Sequence, residues 1–312
     1  MLDMRTLRLA AAVMAVAAVS ALTVPLSTAA AAPATVSCTA WSRSQVASGY
    51  GTLENMAFDG RGGLLLSELS FTGPGALRKL TAQGARSTEV ADVDGPGGIV
   101  VSGDGAFFNT GNTTAAGLFD TPDGTVELLA LDTGETRTVA RGLTMPNGLA
   151  VLPGGELVVS RDLGSDTGLT RIDPVTGRGE PFAPAVTSTN GLVWDSGREL
   201  LWVATSFNSA TEIVGVDVAT GTPSRTLTIP GPGLLNVADD LTLGPDGNLY
   251  VALNVAGKIV RLDPDGGGSC VIADGLPLTS AVEFGAGPGW DEKSLYATSF
   301  LGTVTRVSPA AR

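Results

Sequence analysis

"TMPNGLAVLPGGELVVS", residues 144–160, sets an Asn-Gly pair directly before a short apolar run, a Gly-rich turn and a second apolar run. The arrangement returns at 188–204 as "STNGLVWDSGRELLWVA". An Asn-Gly pair in mid-chain ordinarily marks a turn. Two of them at the same phase of similar segments point to a repeat.

The repeat extends through the chain. The same strand pair is found in "NMAFDGRGGLLLSEL" (55–69), "GIVVSGDGAFFNT" (98–110), "DLTLGPDGNLYVALN" (240–254) and "AVEFGAGPGWDEKSLYATSF" (281–300). A second phrase lies between these copies: apolar residues, Asp, then a turn containing Gly. Its Asp residues are Asp132, Asp173, Asp217 and Asp263, spaced 41, 44 and 46 apart, with Thr81 and Ser308 in phase. Apolar runs of this length with such turns are strand signals, and no sustained helical period occurs beyond the first 32 residues. Each unit of about 45 residues thus carries four short strands, the pattern of a propeller blade. The sequence predicts an all-β, six-bladed β-propeller over 33–312.

The last unit stops after three strands. "VASGY" (46–50) stands eight residues before Glu54, as "VARGL" (139–143) stands eight before Asn147. The N-terminal segment is therefore expected to supply the outer strand of the last blade and remove an open sheet edge.

The residue just before each innermost strand forms a column: Glu54, Gly97, Asn147, Asn190, Asp239, Ser280. In a propeller one repeated position becomes a ring around the central channel. Two carboxylates and two amides on that ring suit a hard cation, Ca²⁺ above all, with another divalent ion as the alternative. Asp240 is a further candidate. Any one of these residues has a bland reading as a turn residue or a solvated loop; the grouping of four oxygen donors carries the expectation.

Composition narrows the chemistry. The chain of 312 residues has no histidine, which removes His-based triads, His general bases and His-ligated zinc. Arg5 and Arg8, an apolar run to about Val24 and Ala30–Ala32 before Pro33 read as a secretory signal peptide over 1–32. That segment carries one net positive charge (Asp3 against Arg5 and Arg8), so the mature chain stands at −13 rather than −12. Such acidity argues against nucleic acid or an anionic membrane as partner. The expectation is a secreted monomer without a membrane anchor after cleavage, acting on a small molecule. Cys38 and Cys270, the only cysteines, are expected to pair in an oxidising compartment.

At "LENMAFD", "MPNGLAVLPGGELVVS", "STNGLVWD" and "ADDLTLGPDGNLYVALNVAGKIVRLDPDG" the chain resembles the senescence-marker-protein/gluconolactonase family of six-bladed propellers, over nearly the whole mature length. Paraoxonase and diisopropyl fluorophosphatase are more distant relatives. The resemblance implies one calcium-type ion in the central tunnel, with Glu54, Asn147, Asn190 and Asp239 as ligands, and Asp239 as base or nucleophile. Asp240 falls where paraoxonase has a further ligand. Asn109 and Asn112 are the nearest counterparts of the family's polar substrate contacts in blade two. The chain departs from the family in following Asp239 with Asp240 rather than Gly or Ser.

The implied activity is calcium-dependent hydrolysis of a lactone or related ester. Two alternatives stay open: a non-catalytic ligand-binding propeller with a structural calcium, and a strictosidine-synthase-like enzyme. The latter needs a late-blade glutamate at the mouth, for which Glu283 and Glu292 are the candidates.

Overall fold

The computed structural model describes residues 38–310 except 71 and 267. Six four-stranded antiparallel sheets form a ring. The innermost strands are Thr52–Phe58, Ile99–Ser102, Leu149–Val151, Thr189–Asp195, Ala238–Leu243 and Thr279–Phe284. Each packs against the innermost strands of its two neighbours, and the first blade meets the sixth to close the circle. The expected signal peptide at 1–32 lies outside the described residues. Among those described, no helix is long and apolar enough to cross a membrane.

Six apolar clusters hold the ring, one at each junction between neighbouring blades. The junction of blades three and four gathers Val158, Leu169, Leu192, Leu201 and Val216; that of blades six and one gathers Leu53, Phe58, Leu64, Trp290 and Tyr296. Every blade therefore buries both faces of its inner strands, the clearest case being "LLWVAT" (Leu200–Thr205), buried throughout, while the outer strands are largely polar and exposed. A lone blade could cover neither face, so the structure is stable only as a closed ring.

Closure follows the expected route with a shifted register. Ser42–Ala47 pairs with Thr303–Ser308 as the outer strand of blade six, so the strand starts upstream of "VASGY". A Cys38–Cys270 disulfide ties the residues preceding it to the outer strand of blade five, with 5.7 Å between Cα atoms and a sequence separation of 232. The backbone N–H of Trp41 donates to the carbonyl of Ile272 beside it. On the chain-entropy account a loop this long contributes about 4 kcal/mol or more. Cys270→Ser is therefore expected to lower the free energy of unfolding by about that amount. Denaturant titration with and without reductant checks this; equal midpoints for the oxidised and reduced wild type would contradict it.

Two short helices depart from the all-strand expectation: α1 (Thr114–Phe119) in blade two and α2 (Gly233–Asn236) between blades four and five. Both lie on connections at the face where the innermost strands begin, called the mouth below. Neither is long enough to show a helical period in the sequence.

Candidate functional site

Each residue of the column sits at a break in the sheet ladder. Pairing skips between Leu53 and Met56, Thr189 and Leu192, Ala238 and Leu241, and Thr279 and Val282, so two residues face one on the neighbouring strand. Blades two and three repeat the pattern through backbone bonds: Asn109 and Ser160 each donate to the carbonyl of the second residue and accept from the N–H of the first. A bulge of this kind re-aims a side chain and ends regular pairing. Two residues ahead of it the backbone turns left-handed, at Met145, Ser188, Val237 and Leu278, with Gly95 in blade two. A β-branched Val237 at φ 50° is a strained choice. Strain of this kind persists only where the surrounding structure over-determines it, and it concentrates at functional sites.

The glycine of each Asn-Gly pair has a structural reason different from a turn. A Cβ on Gly148 would lie 2.3 Å from the carbonyl oxygen of Asn190, and one on Gly191 would lie 2.5 Å from the Cα of Asp240. Neither glycine has a positive φ. The backbones of successive innermost strands approach too closely there for any side chain.

The bulges bring Glu54, Asn147, Asn190 and Asp239 to the mouth, each 4–8% exposed. The Asn190 amide donates to Asp239 Oδ1 at 3.0 Å and to Ser206 Oγ at 2.9 Å. The Asn254 amide donates to the other oxygen of Asp239 at 2.8 Å. Asn112 donates to Glu54 Oε1 at 3.0 Å. The Asn147 amide lies against the carboxylate of Asp162.

Asp162 and Asn254 are therefore members of this group that the ring column alone does not find. Both lie two residues past the point where the second strand faces the bulge. Read across the blades, that position is Leu69, Gly111, Asp162, Ser206, Asn254 and Phe300. It is a second column of the same repeat, and it held the missing signal.

Three other residues sit differently from the expectation. Asn109 is fully buried, and its amide donates to the carbonyls of Asn147 and Gly148 at 2.8 and 3.2 Å. It fixes the bulge of blade three and does not face the mouth. Ser280 does the same for blade one, donating to the carbonyl of Leu53 at 2.6 Å. Asp240 occupies the second place of its bulge. Its carboxylate accepts from Asn55 at 3.2 Å and, with Glu283, lines a separate cavity of about 390 Å³ reaching the opposite face. Burial pushes Asp240 up to about 7; burial, then the charge of Asp240, raises Glu283 to about 8. Glu283 also accepts from the N–H of Phe58, and Glu292 is exposed on a turn at that far face. Neither glutamate stands at the mouth, so the condensing-enzyme alternative lacks its acid.

Electrostatically the mouth is a group of acceptors without a cation. None of Glu54, Asp162 and Asp239 forms an ion pair among the described residues. Burial, followed by the charge of Asp162, pushes Glu54 up to about 7. Burial pushes Asp162 up to about 6. Asp239 is raised well above the usual carboxylate range by burial and by the charges of Glu54 and Asp162. Two buried oxygens, Asn112 Oδ1 and Asp162 Oδ1, have no hydrogen-bond partner. Buried acceptors left unpaired are costly, and a hard cation would satisfy these oxygens and reverse the pKa shifts together. Among the described residues no three acidic or cysteine side chains suffice to hold an ion alone, so such a site depends on the amides of Asn147 and Asn190. The residues present fit a calcium-type ion.

The sequence model of the family described as "SMP-30/Gluconolactonase/LRE-like region" matches residues 74–300. The chain belongs to the SMP-30/gluconolactonase/LRE-like family. Its structure is similar to that of a putative gluconolactonase (TM-score 0.66, 17% identity, covering 88% of this chain and 94% of that one). It is also similar to a gluconolactonase from Xanthomonas campestris (0.66, 13%, 86% and 89%) and to a luciferin-regenerating enzyme (0.64, 16%, 87% and 96%). At these identities the likeness establishes a shared fold. A search of curated protein sequences found no match. As an SMP-30/gluconolactonase/LRE-like protein the chain shares a family and a six-bladed propeller fold with gluconolactonases.

Proposed function

We propose that the chain is an exported, calcium-dependent hydrolase that opens a lactone or cleaves a related ester at the tunnel mouth. The observation carrying this reading is the buried, cation-free group of acceptors around Glu54, Asn147, Asn190 and Asp239 in a propeller of the gluconolactonase family. Glu54, Asn147, Asn190 and Asp239 would hold the ion, which when bound would supply Lewis-acid polarisation of the substrate's carbonyl oxygen. Asp239 takes the proton of the attacking water. Its two oxygens are aimed by the Asn190 and Asn254 amides. Asp162 and Asn112 hold Asn147 and Glu54 in place. The Cys38–Cys270 disulfide supports an oxidising destination, and the formal charge of −12 supports a small neutral substrate over nucleic acid.

The test is metal content by mass spectrometry after purification, followed by turnover on lactones, esters and phosphotriesters. Saturable hydrolysis abolished by a chelator while the circular-dichroism spectrum is retained is the expected result. The absence of histidine favours a second reading, a ligand-binding propeller pinned by its ion. Full metal occupancy with no turnover on any substrate would favour it.

A further inference from the structure

Arg161 and Asp162 follow directly on the second strand of blade three, Leu157–Ser160. One place before the second column the six blades read Glu68, Thr110, Arg161, Thr205, Leu253 and Ser299, so blade three alone has a cation there. The Arg161 guanidinium is engaged within the molecule. It donates to the carbonyls of Leu163 at 2.9 Å and Gly117 at 3.1 Å, and it pairs with Asp120. Gly117 lies on α1, and Asp120 is the residue that ends it. Ser165 donates to the other oxygen of Asp120 at 2.8 Å.

Two glycines record how closely α1 sits on blade three. A Cβ on Gly117 would run into Sδ of Met145 and lie 3.2 Å from the carbonyl oxygen of Leu163. A Cβ on Gly164 would run into the Arg161 guanidinium. Met145 stands two residues before Asn147. The other end of α1 leads to Glu54: Thr113 caps the helix by accepting from the N–H of Ala116 at 3.1 Å, and the preceding residue, Asn112, donates to Glu54. The backbone of the pair is tied to blade four. The N–H of Arg161 donates to Oγ1 of Thr189 at 3.1 Å, and Ser188 Oγ donates to the carbonyl of Asp162 at 3.3 Å, directly before Asn190. Asp162 lies against the Asn147 amide. Residues 161 and 162 thus join Glu54, by way of α1, to Asn147 of blade three and Asn190 of blade four.

We propose that Arg161 is a positioning residue for the cation at the mouth: its guanidinium holds α1 against blade three and so fixes the spacing of Glu54, Asn147 and Asn190. This rests on the calcium reading above and extends it to a residue outside the ligand set. Two roles for an arginine beside an acidic opening predict opposite signs. As a bare charge next to Asp162, Arg161 opposes a cation, and its removal tightens calcium binding. As a positioning group, its removal loosens the ligands and weakens binding, by about 10–100-fold for an outer partner of a metal site. Lysine keeps the charge but cannot serve three acceptors from one planar fork.

The experiment is calorimetric titration of calcium into the chelator-stripped full chain, comparing the wild type with Arg161→Gln and Arg161→Lys. The expected result is a Kd raised about 10–100-fold in both variants. A Kd in Arg161→Gln equal to or below that of the wild type overturns the proposal. So does a wild-type Kd in Arg161→Lys, because the charge alone then suffices. A general loss of stability does not enter a Kd measured on folded protein, and circular dichroism in chelator reports whether each variant is folded. Where the arginine variants do not fold, Gly117→Ala decides: it removes no group and only pushes α1 away from Met145. A raised Kd there supports the proposal, and an unchanged one overturns it. If the wild type takes up no calcium, the calcium reading fails and amide hydrogen exchange decides the positioning. Faster exchange in both 112–119 and 145–148, in Arg161→Gln or Gly117→Ala, supports it; a change confined to α1, or none, overturns it.

Discussion

Asp239→Asn is expected to lower kcat/KM for lactone hydrolysis by about 10²–10⁴-fold, the usual range for losing a positioned acid–base group. Both carboxylate oxygens accept amide N–H groups, from Asn190 and Asn254. An asparagine there must turn its NH₂ toward one of those donors, so a hydrogen bond is lost and two donors are left facing each other. The group also loses one of the charges that would hold a divalent ion. Two effects should therefore separate in one experiment. Calcium titration of the variant shows weaker binding, and kcat at saturating calcium reports the proton-transfer role alone. A kcat at saturating calcium equal to that of the wild type would remove Asp239 from the chemistry and leave it a ligand only. A thermal melt of the calcium-loaded variant confirms that the fold is kept.

The second large effect concerns chelated protein. Glu54 and Asp162 have folded-state pKa values of about 7 and about 6, raised above their unfolded values by burial. Between about pH 4 and pH 7 the folded chain holds protons that the unfolded chain has released. The slope of stability with pH is then negative. Stability is highest near pH 4.5 and falls as pH rises to 7.5. Each shift of about two units corresponds to roughly 3 kcal/mol as an order of magnitude. Groups shifted the other way do not mask this. Asp59 and Asp195 despite their burial, and the partly exposed Asp291, are lowered below the usual range by hydrogen bonds and charge from Lys79, Arg198, Ser294 and neighbouring N–H groups. Their contribution is lost only as pH falls through still lower values, below this window. Calcium holds the mouth carboxylates ionised, so the stabilisation it gives should grow with pH. Melting curves at pH 4.5, 6 and 7.5, with chelator and with calcium, test both statements. A chelated protein whose melting temperature is flat or rises across this range contradicts the electrostatic account of the mouth. Glu54→Gln combined with Asp162→Asn should remove the part of the slope that these two groups carry, while Asp239, Asp240 and Glu283, also raised by burial, keep the remainder.

The repeat dictated the architecture. Two interleaved columns at a period of about 45 residues require four strands per unit. Units whose strands are apolar on both sides must be covered on both sides, which only a closed ring of neighbours provides. The three-stranded last unit and the isolated N-terminal strand phrase implied the closure, and Cys38 with Cys270 implied the pin. One position repeated six times had to become a ring, so Glu54, Asn147, Asn190 and Asp239 were legible as a group although they are spread over 186 positions.

Contacts between blades decided the rest. Asp239 and Asp240 are adjacent and chemically equal, yet one meets the mouth and the other the lower cavity, because a bulge sets where each of its two residues points and composition carries no record of a bulge. Asn109 and Asn112 looked alike as polar residues of one loop. Asn109 is drawn under the bulge of blade three, and Asn112 reaches Glu54. Asp162 and Asn254 form part of a second column, at the ends of the second strands, and only the contacts of Asp162 with Asn147 and of Asn254 with Asp239 tie that column to the first. The sequence by itself determined the ring and most of its oxygen donors, since symmetry turns a repeated position into a shared location. Only the tertiary structure decided which neighbour faces the opening, since a shift of one residue in register reverses the direction of a side chain.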